Sequence, residues 1–467
     1  MQLDKDLQAK QEARELAKKA ELAQKELFFF PQEKLDAITK AVAKAFEAAS
    51  AELAQMACEE TGFGNVEDKI IKNRFASRTV LEAIAPMKTV GILKEEPGLW
   101  EVGVPVGVIA AIVPSTNPTS TVCYKAMIAL KSGNCIIFSP HPKALACTLR
   151  ATRIVAEAAE KAGAPKGCVS CLTVPSLDGC RELMSADPVR LILATGGPAM
   201  VKAAYSSGKP AIGVGAGNGP AYLHPSCDLK DALEKILQSK TFDNGTVCAS
   251  ERSIIVEKAM EKQTEELAKS MGYYFMDEKE AKALGAILFR PNGALNPDIV
   301  GKPARVLAEK AGFSVPAGTK VLVAREQDAG AKYPYSHEKL CPVLAWFTVE
   351  NEDAAKKLAI KVLCHEGVGH TFSIHAKDKE VVRRFCCCVP VSRFLVNAPA
   401  AQGGIGAATK LFPALTLGCG AVGGSSSSNN ISPMDLVNIR KVAWGQNKED
   451  DLVAILTAKI LERLSKE

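Results

Sequence analysis

Two residues of this chain stand where they could do carbonyl chemistry together. Cys248 lies in Thr241-Phe242-Asp243-Asn244-Gly245-Thr246-Val247-Cys248-Ala249-Ser250, with small residues on its C-terminal side. Its thiol would be open to approach, and a thiolate is a strong nucleophile toward a carbonyl carbon. Asn117 is held between Pro114 and Pro118 at the end of an apolar run, in a rigid, non-helical segment. An amide N–H₂ fixed in this way can donate to a developing oxyanion. Each residue also has a plainer reading. A cysteine is commonly a small buried residue in a turn, and an asparagine is commonly a turn former. With 15 cysteines in the chain, a lone one is a weak signal, so context must decide.

Two glycine-rich segments add context. Arg190 to Ala194 reads as a strand that runs into Thr195-Gly196-Gly197-Pro198-Ala199-Met200. Glycines before a helix start and proline just inside it suit a helix amino end, whose free N–H groups can bind a phosphate. Gly213-Val214-Gly215-Ala216-Gly217-Asn218-Gly219 is the second. Neither fits G-x-G-x-x-G, so an ordinary strand-to-helix turn stays open. Cys168-x-x-Cys171 and Cys386-Cys387-Cys388 have no second pair and no histidine at zinc spacing, so no metal site is expected.

The elements that must position these residues follow a regular pattern. Residues 1 to about 60 are rich in Ala, Lys, Glu and Leu and read as helices, broken at Phe28-Phe29-Phe30-Pro31. From Leu99 onward, short apolar runs bounded by Gly and Pro alternate with helical segments: strands at 99–104, 106–113, 134–138, 168–173, 190–194 and 211–214, and helices at 121–131 and 144–162. This predicts an α/β fold with parallel, doubly wound sheets. The pattern restarts after Asp228 with a helix at 229–239 and a strand at 253–257, giving a second lobe with Cys248 near the junction, where ligand sites concentrate. The expected division is 1–238, 239–420, a return segment at 421–445 and a tail at 446–467.

The ordered set Asn117, Thr195-Gly196-Gly197, Gly213 to Pro220, Cys248 and Glu338 resembles the aldehyde dehydrogenase superfamily. Ser336 to Val343, Gly367-Val368-Gly369-His370-Thr371 and Leu415 to Gly420 are similar to its coenzyme A-acylating branch, including microcompartment-associated acetaldehyde and propionaldehyde dehydrogenases. The resemblance implies two Rossmann-like lobes with an oligomerisation element, to which 92–106 and 421–445 would contribute in a homodimer or homotetramer. It implies Cys248 as nucleophile, Asn117 and the Cys248 N–H as oxyanion donors, and Glu338 as the carboxylate on the nicotinamide ribose. Thr195, Gly196, Gly197, Ser139, Pro140, Val214 and Gly215 would line the cofactor site. NAD is the cofactor implied, with NADP as the other form. His370 is either an acyl or coenzyme A-site residue or a packed histidine.

Two departures matter. Hydrolytic relatives carry a glutamate base before a Gly-Gly-Lys-x-Pro segment; here Val214 stands in the glutamate's place and Asn218 in the lysine's. Valine cannot activate water, and hydrolytic deacylation needs a base. The thioester would pass instead to a thiol, that of coenzyme A. Ser139, in Phe138-Ser139-Pro140-His141-Pro142, replaces the usual cofactor-loop lysine. The rival readings are a hydrolytic aldehyde dehydrogenase, a phosphate-dependent reductase and a non-catalytic microcompartment scaffold.

Composition excludes other classes. A net charge of +6 on 467 residues, with lysine and glutamate interleaved and few aromatics, offers no nucleic-acid surface. The amino terminus lacks the apolar core of a signal peptide, and the longest apolar run is too short to span a bilayer, so a cytoplasmic enzyme acting on small molecules is expected. After a polar break at 445–448, Leu452, Val453, Leu456, Ile460 and Leu464 form one helical stripe, with Ile455 off it. Residues 449–467 are similar in shape to encapsulation peptides that dock on a microcompartment shell protein; a helix packed on the same chain is the alternative.

Overall fold

The apolar runs bounded by Gly and Pro become the strands of two parallel sheets, in a computed structural model that describes residues 4–445 and 448–465. The first sheet has the order Val169–Cys171, Ile136–Ser139, Val108–Ile112, Val189–Thr195, Ala211–Val214, and every neighbouring pair is parallel. All of Val108–Ile112 and Ile136–Ser139 are buried, which explains their near-continuous apolar character. Helices Pro118–Lys131, Leu145–Lys161, Leu177–Ser185 and Pro198–Tyr205 make the crossovers. The winding reverses between Val108–Ile112 and Val189–Thr195, so the carboxyl ends of these two strands face the crevice where open α/β sheets bind ligands.

The second sheet has seven parallel strands in the order Tyr273–Phe275, Val321–Arg325, Val343–Val349, Glu251–Glu257, Gly219–Leu223, Gly369–His375, Val391–Val396. The chain leaves the first sheet at Val214 and enters the second at Gly219. This crossing falls before the expected division at 238/239, which lies inside helix Leu229–Thr241. That helix packs Leu233, Ile236 and Leu237 into the second lobe with Ala221 and Ile254.

The amino-terminal segment is helical as expected. Helix Lys5–Leu27 ends at the Phe28–Pro31 break and Gln32–Ala48 follows. Ala9, Ala13, Ala17 and Ala20 are buried on one face. Small residues are needed there, because a β-carbon on Gly179 would come within 2.8 Å of the Ala9 Cβ. Helix Val66–Arg74 buries Lys69 and Lys72 and continues through a π-helical turn, Phe75–Thr79, into Val80–Ile84; such turns often accompany functional sites.

Gly91–Glu96, Leu99–Pro105 and Val437–Ala443 form a separate antiparallel sheet, which brings the runs near 92–106 and 437–443 together. Trp100 and Trp444 meet at 4.8 Å between ring centres. Beyond it stands helix Lys448–Leu464. Residues 446–447 and 466–467 lie outside the described residues, as do the side chains of 448–452, including Leu452 of the expected stripe. Every side chain from Val453 to Ser465 is exposed, so this described part of the helix buries no face against the enzyme body. Among the described residues no helix is long and apolar enough to cross a membrane.

Candidate active site

The reversal of winding places two of the expected segments side by side. Strand Val108–Ile112 delivers Pro114 to Asn117, and strand Val189–Thr195 delivers Thr195-Gly196-Gly197. Lys125, fully buried on helix Pro118–Lys131, donates to the carbonyls of Ile112 and Leu193, both at 2.9 Å, and so ties the ends of these two strands together. Burial pushes the Lys125 ammonium down to about 7.

The nucleophile comes from the other sheet. Cys248 lies just before strand Glu251–Glu257, after a tight turn in which Asp243, Asn244 and Gly245 all have positive φ (48°, 51° and 77°). Such backbone persists only where its surroundings over-determine it. Here Arg252 does much of that. Its fully buried guanidinium donates to the carbonyls of Gly245 (3.1 Å), Val247 (2.9 Å) and Gly217 (3.1 Å), and to Ser250 Oγ (2.7 Å). The sheet-crossing loop thus lies directly against the nucleophile loop.

These parts enclose a cavity of about 270 Å³. Cys248, Asn117, Thr195, Gly196, Gly197, Val214, Gly215 and Glu338 all line it. Ser139 and Pro140 do not. Ser139 is buried at the end of its strand, and His141 is the residue of that segment that reaches the cavity. His370 does not line it either. It is buried in strand Gly369–His375, with Nδ1 2.8 Å from Thr371 Oγ1. Burial, with Arg393 and Arg252 nearby, holds its imidazole well below the usual range, so it is neutral.

The ionisable groups in the cavity are poised unequally. Burial, then the Glu338 carboxylate, pushes the Cys248 thiol up to about 11, against the pull of Arg252 and Arg393. Burial also raises Glu338 to about 7. Glu338 Oε1 accepts from the Gly217 N–H at 2.9 Å and lies 3.8 Å from Arg252 Nη2. The resting thiol is therefore protonated near neutrality.

Residues of this cavity would suit part of a nicotinamide dinucleotide, the cofactor the resemblance implies. Thr195 Oγ1 is buried without a partner. Gly197 has open space where a β-carbon would stand. Helix Pro198–Tyr205 begins with no side-chain cap, leaving its amino end available to a phosphate. Among the described residues no group of three or more His, Cys, Asp or Glu side chains is placed to hold a metal.

Sequence reasoning missed Lys69, Lys72, Asp243 and Arg252. The only local trace of the first pair is Lys69-Ile70-Ile71-Lys72, two lysines one helical turn apart, which reads like any solvated helix face. Here both are buried against Asp243, with Nζ to Oδ2 distances of 2.9 and 2.5 Å.

Comparison with known proteins gives the family. Residues 5–289 match the family described as the aldehyde dehydrogenase family. The chain is 45% identical over 435 residues to the bifunctional aldehyde-alcohol dehydrogenase of Escherichia coli strain K12, covering 92% of this chain and 49% of that one. It thus spans about half the length of the curated aldehyde-alcohol dehydrogenases it matches. An acetylating aldehyde dehydrogenase structure from Geobacillus thermoglucosidasius aligns with a TM-score of 0.94 at 48% identity, covering 96% of this chain and 99% of that chain. A propionaldehyde dehydrogenase of Rhodopseudomonas palustris with bound propionyl-CoA aligns with a TM-score of 0.85 at 28% identity, covering 92% and 94%.

Proposed function

Because this chain belongs to the aldehyde dehydrogenase family, we propose that it is a coenzyme A-acylating aldehyde dehydrogenase. It converts a short aldehyde of the acetaldehyde or propionaldehyde class to the acyl-CoA, reversibly, with NAD as hydride acceptor. The observation that carries this reading is one cavity that holds Cys248 and Asn117, with Val214 rather than a carboxylate in its glycine-rich loop. The acetylating and propionyl-CoA-bound relatives support it.

The residues act in sequence. The Cys248 thiol, protonated at rest, releases its proton to solvent; the thiolate then bonds to the aldehyde carbon as the carbonyl π pair moves onto oxygen, which takes up the negative charge. Asn117 Nδ2 and the Cys248 N–H donate to that oxygen. Thr195, Gly196, Gly197 and Gly215 would hold a nicotinamide, with Glu338 on its ribose, and the bound ring would supply the hydride acceptor. The product is a thioester on Cys248. Val214 offers no base for water and Glu338 is taken up by the ribose, so the thioester persists until the coenzyme A thiolate displaces Cys248.

The test is to mix enzyme, acetaldehyde or propionaldehyde and NAD, with and without coenzyme A. NADH formation that depends on coenzyme A and yields acyl-CoA is expected. Fast NADH formation without it, giving the free acid, establishes hydrolysis instead. Repeating the assay with NADP in place of NAD decides the cofactor.

Two further elements belong to this reading. The exposed Ile92, Leu99 and Ile439 on the three-stranded sheet, with Trp444 just past its last strand, support its role in a dimer or tetramer. Val453, Leu456, Ile460 and Leu464, all exposed on the terminal helix, support its docking on a shell protein inside a bacterial microcompartment.

A further inference from the structure

Asn117 occupies the N-cap position of helix Pro118–Lys131, where an asparagine side chain normally accepts from its own helix. It makes no such bond. Its Oδ1 instead accepts from Lys72 Nζ at 2.6 Å. We propose that Lys72 is a positioning residue for the reaction: by occupying Oδ1 it turns the Asn117 amide so that Nδ2 is presented to the cavity. This rests on the reading of Asn117 as the oxyanion donor.

The orientation follows from donor chemistry. An ammonium has three donors and no acceptor, so the atom it meets must be the oxygen. A flipped amide would set N–H₂ against the ammonium and lose the bond. One Nδ2 hydrogen is directed at Thr116 Oγ1 at 3.2 Å, which leaves the other for a ligand.

Lys72 is itself fixed by the nucleophile loop. Its Nζ donates to Asp243 Oδ2 (2.5 Å) and Thr246 Oγ1 (3.0 Å), and Thr246 Oγ1 donates in turn to Asp243 Oδ2 (2.6 Å). One turn earlier, Lys69 Nζ donates to Asp243 Oδ2 (2.9 Å) and to the Thr116 carbonyl (3.0 Å). Both lysines therefore join the loop carrying Asn117, from the first sheet, to the loop carrying Cys248, ahead of a strand of the second. Burial lowers the Lys72 ammonium to about 8, so it is charged below that pH, and the two lysines hold the Asp243 carboxyl below its usual range against its own burial. Lys72 lines the cavity beside Cys248 and Asn117. The site's two halves come from different sheets, and this charge cluster sets their register.

The test compares Asn117→Ala, Lys72→Met, Lys72→Arg and the Lys72→Met/Asn117→Ala double variant by kcat, aldehyde KM and thermal midpoint. Lys72→Met leaves the Lys69–Asp243 pair in place, so the fold is expected to hold. One oxyanion donor is worth about 10²–10³ in kcat. Lys72→Met should lose about the same factor as Asn117→Ala, with KM changed far less than kcat. The double variant should be no slower than Asn117→Ala, since a misaimed amide and an absent one are equivalent. Lys72→Arg should recover part of the loss. A normal kcat in Asn117→Ala overturns the reading of Asn117. An impaired Asn117→Ala together with a normal Lys72→Met, or with losses that multiply in the double variant, overturns the role of Lys72. If Lys72→Met does not fold, Lys72→Gln is combined with Asn117→Ala and judged by the double variant alone: losses that multiply overturn the role of Lys72.

Discussion

Gly217 passes so close to Cys248 that a β-carbon on it would stand 2.0 Å from the Cys248 carbonyl oxygen. No L side chain tolerates that approach, so the sheet-crossing loop must carry glycine there for the nucleophile loop to keep its place. Gly217→Ala should therefore shift Cys248 and abolish most turnover. Gly318→Ala, where a β-carbon meets nothing within 4 Å, should be close to wild type in kcat and thermal midpoint. Equal activity in the two variants would mean that the Cys248 loop is free to move.

The thiol raised to about 11 gives a second prediction. Below that pH the thiolate fraction grows about tenfold per unit, so alkylation of Cys248 by iodoacetamide in the unliganded enzyme should keep accelerating through pH 9. Cys248→Ala should remove this phase and all turnover. Glu338→Gln removes a negative charge that opposes the thiolate, so at pH 8 alkylation should become about 3–10-fold faster. Glu338 itself titrates at about 7, so the difference should fade as the pH falls below that value. Slower alkylation in Glu338→Gln would identify the carboxylate as a base toward the thiol.

Lys125 ties the stability of the fold to pH. Its folded value is about 7 against an ordinary 10.5. Between these values the unfolded chain holds a proton that the folded chain has lost, so this group makes stability rise with pH, by at most about 1.4 kcal/mol per unit. Below pH 7 its destabilising effect is fully present. Urea unfolding of wild type and Lys125→Met at pH 7 and pH 9 should show the wild type gaining on the variant as pH increases. A constant difference would mean that Lys125 stays charged throughout.

The terminal helix predicts a separation of activity from association. Val453, Ile455, Leu456, Ile460, Leu461 and Leu464 are each at least half exposed. Deletion after Gly445 should leave kcat unchanged and reduce self-association in sedimentation. Fused to a fluorescent protein in a compartment-forming host, the segment should give puncta. A large loss of kcat on deletion would make it part of the catalytic body.

The sequence by itself determined what short-range pattern encodes. Buried parallel strands are continuously apolar and are punctuated by Gly and Pro, so the alternation of strands and helices was legible along the chain. So were the glycine turn at 195–197, the proline-flanked Asn117 and the small-residue setting of Cys248, because local backbone needs select these residues. Ser139, Pro140 and His370 had matching neighbours in sequence, yet packing turns them away from the cavity. Only the tertiary structure decided which segments meet. Asp243 and Lys72 are 171 positions apart, and each looks like a surface charge until the two sheets bring them into one buried cluster. Arg252 likewise sits in an ordinary strand until its guanidinium finds four acceptors around the nucleophile loop. A buried charge is tolerated only when paired and hydrogen-bonded, and those partners exist only once the chain has folded.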